Sequence, residues 1–147
     1  MVDQRKYQWL NLFEWVPYVY FMGLAILFLC YRKRQYFIAL VTILLFYFVL
    51  IPSLKQLCDR CGFQSYRPKN GTEPAFPSGH AFVVWFMVSW TMHYGYGPKW
   101  LWVVLCLVAI STMYQRSYFG WHDRIQLVGG MVLGLAVGWV TATATNK

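Results

Sequence analysis

Negative charge is what this chain has least of. Five Asp and Glu stand against thirteen Lys and Arg in 147 residues, and charged residues of both signs total 12%. A soluble domain carries about 25%. With 59% apolar residues, a soluble domain of this size would expose a surface too apolar to stay dispersed. Four cysteines are too few for a disulfide-stapled miniprotein, and the apolar content excludes disorder and collagen-like repeats. Long basic runs are absent as well, so the formal net charge of +8 does not point to nucleic acid as it would in a soluble protein. A secretory signal is also missing. Arg5 and Lys6 resemble an n-region, but Glu14 and three Trp or Phe residues precede the apolar run, and no small-residue cleavage site follows. The length allows one domain, residues 1–147. What remains is a small polytopic membrane protein. Its cations flank or interrupt apolar segments, as interface anchors and as partners for an anionic ligand.

Five apolar segments are present, at residues 15–31, 36–51, 81–96, 100–114 and 125–145. The expected fold is all-α, a polytopic bundle of about five transmembrane helices. The first four segments are short for roughly 30 Å of hydrocarbon at 1.5 Å per residue, and flanking Trp and Tyr extend them into the interface. Pro17 and Gly23 interrupt the first segment, and Pro52 is expected to stop the second. Residues 52–79 form a polar stretch that holds nearly all the Pro and Gly punctuation, and residues 115–124 form a short polar turn. Gly130, Gly134 and Gly138 recur at a spacing suited to close packing between membrane helices. Five crossings put the N-terminus, the 52–79 stretch and the 115–124 turn on one face, face A. The 32–34 turn, the 97–99 turn and the C-terminus fall on face B. Face A holds eight cations and face B five; without Arg60, Arg67 and Arg116 the count is five against five. The positive-inside rule then assigns neither face to the cytoplasm.

Two of the three histidines and most of the loop arginines lie in the polar stretches of face A. In order they read Arg60, six residues, Arg67-Pro68; Pro77-Ser78-Gly79-His80; and Arg116, five residues, His122. Cations and histidines gathered at the edge of the apolar segments form a site for an anion whose tail lies in the bilayer. Guanidinium groups offer a fork that matches phosphate oxygens. The Ser78-Gly79 turn opens the third helix, so its backbone N–H groups and helix dipole face the same phosphate.

These residues resemble the type 2 phosphatidic acid phosphatase superfamily of membrane lipid phosphatases. Its pattern is Lys-x6-Arg-Pro, Pro-Ser-Gly-His and Ser-Arg-x5-His-x3-Asp. The chain reads Arg60-x6-Arg67-Pro68, Pro77-Ser78-Gly79-His80 and Gln115-Arg116-x5-His122-x3-Gln126, so the resemblance covers residues 59–138. Lipid phosphatases of the superfamily usually have six crossings, and one upstream helix is then missing here. Arg60 keeps the charge of the family Lys, whereas Gln115 removes a small hydroxyl donor and Gln126 replaces an Asp. The dolichyldiphosphatase branch is similar in its His-x3-Gln, in the Tyr before Gln115 and in the Gly-Gly that follows. Its second motif, however, tends to carry Ser where Gly79 stands.

The resemblance implies a metal-independent phosphoric or diphosphoric ester hydrolase that removes the terminal phosphate of a polyprenyl diphosphate of the dolichyl or undecaprenyl type. His122 would be the nucleophile, forming a phosphohistidine, with Gln126 fixing its tautomer and His80 acting as general acid and base. Arg60, Arg67 and Arg116, with Ser78 and Gly79, would hold the phosphate. No cofactor is implied, and no carboxylate cluster suggests a metal. The implied partners are the lipid phosphate substrate and membrane lipids. The membrane would be the endoplasmic reticulum in a eukaryote or the inner membrane in a bacterium. A phosphatase of phosphatidic acid or another glycerolipid monoester is an alternative, and a lapsed enzyme that only binds anionic lipid is another, motivated by Gln115 and Gln126.

Several nearby residues receive plainer readings. His93 lacks motif partners and is structural. Lys55 and Lys69 contact lipid headgroups. Asp123 is one residue from His122, about 100° away on a helix, and orients it poorly. Cys58-x2-Cys61 lacks the two further ligands a zinc site needs, and forms a disulfide only if face A is lumenal. Asn70-Gly71-Thr72 matches a glycosylation acceptor, but lies too near His80 and the membrane for a glycan to fit easily.

Overall fold

The computed structural model describes residues 12–63, 75–94 and 98–145. Arg67, Lys69 and the Asn70-Gly71-Thr72 pattern lie outside the described residues. Five continuous helices make up the fold among the described residues: α1 Val16–Tyr31, α2 Arg34–Arg60, α3 Gly79–Tyr94, α4 Lys99–Tyr118 and α5 Arg124–Thr145. Two of them, α2 and α5, are long and apolar enough on their own to cross a membrane. Pro17 falls in the first turn of α1, where a missing N–H breaks no helical bond, so it starts the helix rather than interrupting it.

Two boundaries differ from the sequence expectation. Pro52 does not stop the second helix, which runs on to Arg60. A π turn, Phe46–Leu50, precedes the proline, and the Ile51 N–H donates back five residues to Phe46. The wider turn shifts the carbonyl ladder just where a proline ring would clash with it, and the Ser53 hydroxyl donates to the Val49 carbonyl at 2.8 Å. The helix ends only at Gly62, whose φ is 70°. There Gly62 N–H donates to Asp59 at 3.0 Å and Phe63 N–H to Cys58 at 2.8 Å, the Schellman closure. The second difference is α4. It extends through Gln115 and Arg116 to Tyr118, so the polar turn narrows to residues 119–123.

α3 is the central helix. From Gly79 to Thr91 every residue is buried except His80 and Trp85, which are half-buried. It lies directly on α5, where a Cβ on Gly130, Gly134 or Gly138 would fall against the backbone of Ser78, Phe82 or Phe86. The Ser89 hydroxyl crosses this seam to the Leu135 carbonyl at 2.8 Å. The glycine spacing thus has the packing role expected of it. The outward faces of the other helices are apolar: Val19, Met22, Ile26 and Leu29 on α1, and Val103, Leu107 and Ile110 on α4, are all exposed. Such a continuous apolar exterior suits hydrocarbon as solvent.

Candidate active site

The spacing between Arg116 and His122 is produced by two helix ends meeting. At the end of α4, Gly120 takes a φ of 66°. Gly120 N–H donates to Ser117 and Trp121 N–H to Arg116, each at 3.0 Å, again a Schellman closure. The His122 N–H turns onto the same Arg116 carbonyl at 3.3 Å, which holds the imidazole beside the arginine. Asp123 then caps α5. Its Oδ1 accepts the Gln126 N–H at 2.8 Å, while Gln126 Oε1 accepts the Asp123 N–H at 3.2 Å, a reciprocal capping box. The same Oε1 accepts the His122 Nδ1–H at 3.0 Å. An amide oxygen can only accept, so the ring proton sits on Nδ1 and the Nε2 lone pair is left for chemistry.

The second motif is tied to the third through the backbone. The Ser78 N–H donates to the Gln126 carbonyl at 3.0 Å, and the Ser78 Oγ accepts the Ala81 N–H at 3.4 Å as the cap of α3. Ser78 is fully buried, so its hydroxyl serves the helix end. Gly79 borders the site instead, and its missing side chain matters: a Cβ there would lie 3.2 Å from the Tyr47 ring. The Arg116 guanidinium faces Nε2 of His80. The same Nε2 lies 3.3 Å from the Glu14 carbonyl, so the ring tautomer decides whether it accepts from Arg116 or donates to Glu14.

His80, Arg116 and His122 share a cavity of about 380 Å³ with Gly79, Tyr47 and Lys55. Burial, above all, lowers the pKa of His122 to about 4; Lys55 and Arg116 push the same way, against the Gln126 hydrogen bond. His80, just ahead of the apolar run, is lowered to about 3, first by burial and then by Arg116. Both imidazoles are therefore neutral near pH 7, with cations beside them. A second cavity of about 320 Å³ is also bordered by His80 and Arg116, together with Glu14, Trp15 and Tyr18. The Glu14 carboxylate stands 4.0 Å from the Arg116 guanidinium.

Of the residues singled out in sequence, His80, Gly79, Arg116 and His122 border one cavity and Gln126 supports it from behind. Arg60 does not reach it: it is the exposed last residue of α2. Gln115 is fully buried and borders neither cavity, and its amide has no hydrogen-bond partner among the described residues. Sequence reasoning missed Glu14, which no motif marks, and Lys55, which became legible only once α2 continued past Pro52. It also missed the capping role of Asp123, although Asp-x2-Gln ahead of an apolar run is a helix-start signal.

The profile of the PAP2 superfamily matches residues 50–147, two thirds of the chain, and the chain belongs to that family. It is similar to an undecaprenyl-diphosphatase of Sulfolobus acidocaldarius, 30% identical over 70 residues. That match covers 48% of this chain and 32% of the archaeal protein, so the chain matches about a third of its relative's length. No solved structure matches the chain.

Proposed function

We propose that the chain is an integral membrane phosphatase that removes the terminal phosphate of a polyprenyl diphosphate through a phosphohistidine on His122. The observation that carries this reading is the His122–Gln126 pair at 3.0 Å, with its free Nε2 beside Arg116 and His80. In the first step the Nε2 lone pair attacks the terminal phosphorus, the N–P bond forms and the bridging P–O bond breaks. Gln126 holds the Nδ1–H as the ring gains positive character. Arg116 takes charge spreading over the phosphoryl oxygens. In the second step water held by His80 attacks the phosphohistidine; the N–P bond breaks, the water's proton passes through His80 to solvent, and inorganic phosphate leaves with His122 regenerated.

The environment of His80 supports the diphosphate over a glycerolipid monoester. A leaving alkoxide needs a proton from a capable acid, whereas a leaving phosphate monoester needs little. Burial and the neighbouring Arg116 guanidinium disfavour the protonated, acidic form of His80. The similarity to an archaeal undecaprenyl-diphosphatase points the same way. The test is phosphate release by the detergent-solubilised protein from a prenyl diphosphate and from phosphatidic acid, each with excess chelator. We expect turnover of the diphosphate in chelator and none in His122→Ala. Preference for phosphatidic acid overturns the substrate assignment, loss of activity in chelator overturns the metal-free mechanism, and no turnover of either lipid leaves an anion-binding protein.

A further inference from the structure

We infer that Lys55, and not the motif cation Arg60, supplies the α2 side of the phosphate site. This rests on the phosphatase reading above, and it follows from helix register. Along the last ten residues of α2 the inward positions are Ile51, Leu54, Lys55 and Cys58, all buried or half-buried, while Ser53, Gln56, Leu57, Asp59 and Arg60 are exposed. That is the i, i+3, i+4, i+7 pattern of one helix face. Arg60 lies nine residues beyond Ile51, about 180° around the helix and on its far side.

Three further observations converge on the lysine. Lys55 borders the cavity with His80, Arg116 and His122, and Arg60 borders none of three cavities formed by the described residues. Lys55 is close enough to both imidazoles for its charge to act on each of them. Finally, Gly62 closes α2 between Arg60 and Arg67, so the six-residue spacing of that motif does not continue one helical face into the site. The buried Arg116 comes from α4 and Lys55 from α2, so a phosphate beside His122 is met by cations from two helices. An ammonium on a flexible stem acts as a point charge and follows the phosphoryl group as its charge redistributes, while the guanidinium fixes orientation.

The experiment compares Lys55→Gln, Lys55→Arg and Arg60→Gln in the full chain, each checked for a monodisperse peak and an unchanged melting profile in detergent. Phosphate release from a prenyl diphosphate gives kcat and KM, and calorimetric titration with inorganic phosphate gives affinity without turnover. Lys55→Gln should lose about 10²–10³-fold in kcat/KM, the scale of one oriented donor, and bind phosphate at least tenfold more weakly. Lys55→Arg should recover most of both, and Arg60→Gln should stay within about threefold of wild type. Near-normal values for Lys55→Gln, or equal damage from Arg60→Gln, overturn the inference. If wild type turns over no lipid, the phosphatase reading fails while the titration still decides the role of Lys55; absence of phosphate binding by wild type overturns both.

Discussion

Gln126 is the residue on which the candidate site turns. Fully buried, it accepts from Ser78 with its carbonyl, donates its N–H to Asp123, and accepts from both His122 and the Asp123 N–H with its amide oxygen. It therefore joins the second motif to the third, starts α5 and fixes an imidazole tautomer. The family Asp at this place would add a charge; the glutamine supplies only an acceptor. Because burial holds His122 near 4, the proposed nucleophile is neutral above that pH, and activity should fall only as the pH drops through it. Gln126→Asp places an anion beside the ring, favours imidazolium, and should move the acidic limb of the pH–rate profile upward by about 1–3 units. Gln126→Ala leaves Nδ1–H without its acceptor and should cost about 10²-fold or more in turnover. The check is the pH dependence of kcat for the three proteins at matched expression. An unshifted limb in the Asp variant and normal turnover in the Ala variant together would reduce Gln126 to a capping residue.

At the scale of elements, the seam between α3 and α5 depends on absent side chains. A Cβ on Gly134 would fall against the Phe82 carbonyl, and one on Gly138 would lie 2.6 Å from that of Phe86. Backbone cannot rotate away as a side chain can, so the helices must part. Gly134→Ala should destabilise by about 1–3 kcal/mol, the scale of overpacking. Gly23→Ala meets nothing within 4 Å and should be neutral or slightly stabilising, since alanine favours helix. Melting temperature in detergent separates the two; similar melting of both variants would mean the seam is loose. This seam was legible in the sequence because glycine at every fourth residue has few other uses in an apolar helix. The course of α2 was not. A proline normally ends a helix, and nothing local announces that a π turn will absorb it. Reading a stop at Pro52 hid the amphipathic face that carries Lys55. The end of α4 was misplaced for a related reason: Gln115 and Arg116 are polar, and polarity reads as a turn until burial and the glycine at 120 place the helix end later.

The whole molecule gathers its chemistry at one end. Glu14 ahead of α1, Lys55 near the end of α2, Gly79 and His80 at the start of α3, Arg116 near the end of α4 and His122 before α5 all border the two adjoining cavities. At the other end, Arg34 and Gln35 at the start of α2 share a cavity of about 270 Å³ with Ala144 and Thr145 at the end of α5. Helices that alternate in direction along the chain produce this polarity, and the apolar belt between the ends gives it a solvent. If the bundle crosses a bilayer, the two ends face different aqueous compartments, and the proposed reaction runs from one side alone. Cys61, exposed just past α2, lies at the site end; Lys33, exposed between α1 and α2, lies at the other. In a background without other cysteines, Cys61 alone and Lys33→Cys alone can each be reacted with a membrane-impermeant maleimide in sealed, uniformly oriented vesicles. We expect one to label from outside and the other only after the vesicles are opened. Labelling of both from the same side would mean that α2 does not cross, and the five-helix bundle would have to lie in the membrane differently. With α2 crossing, adding a prenyl diphosphate to either side of the same vesicles should give hydrolysis only from the side on which Cys61 reacts, because the lipid's charged end cannot pass the apolar belt unaided.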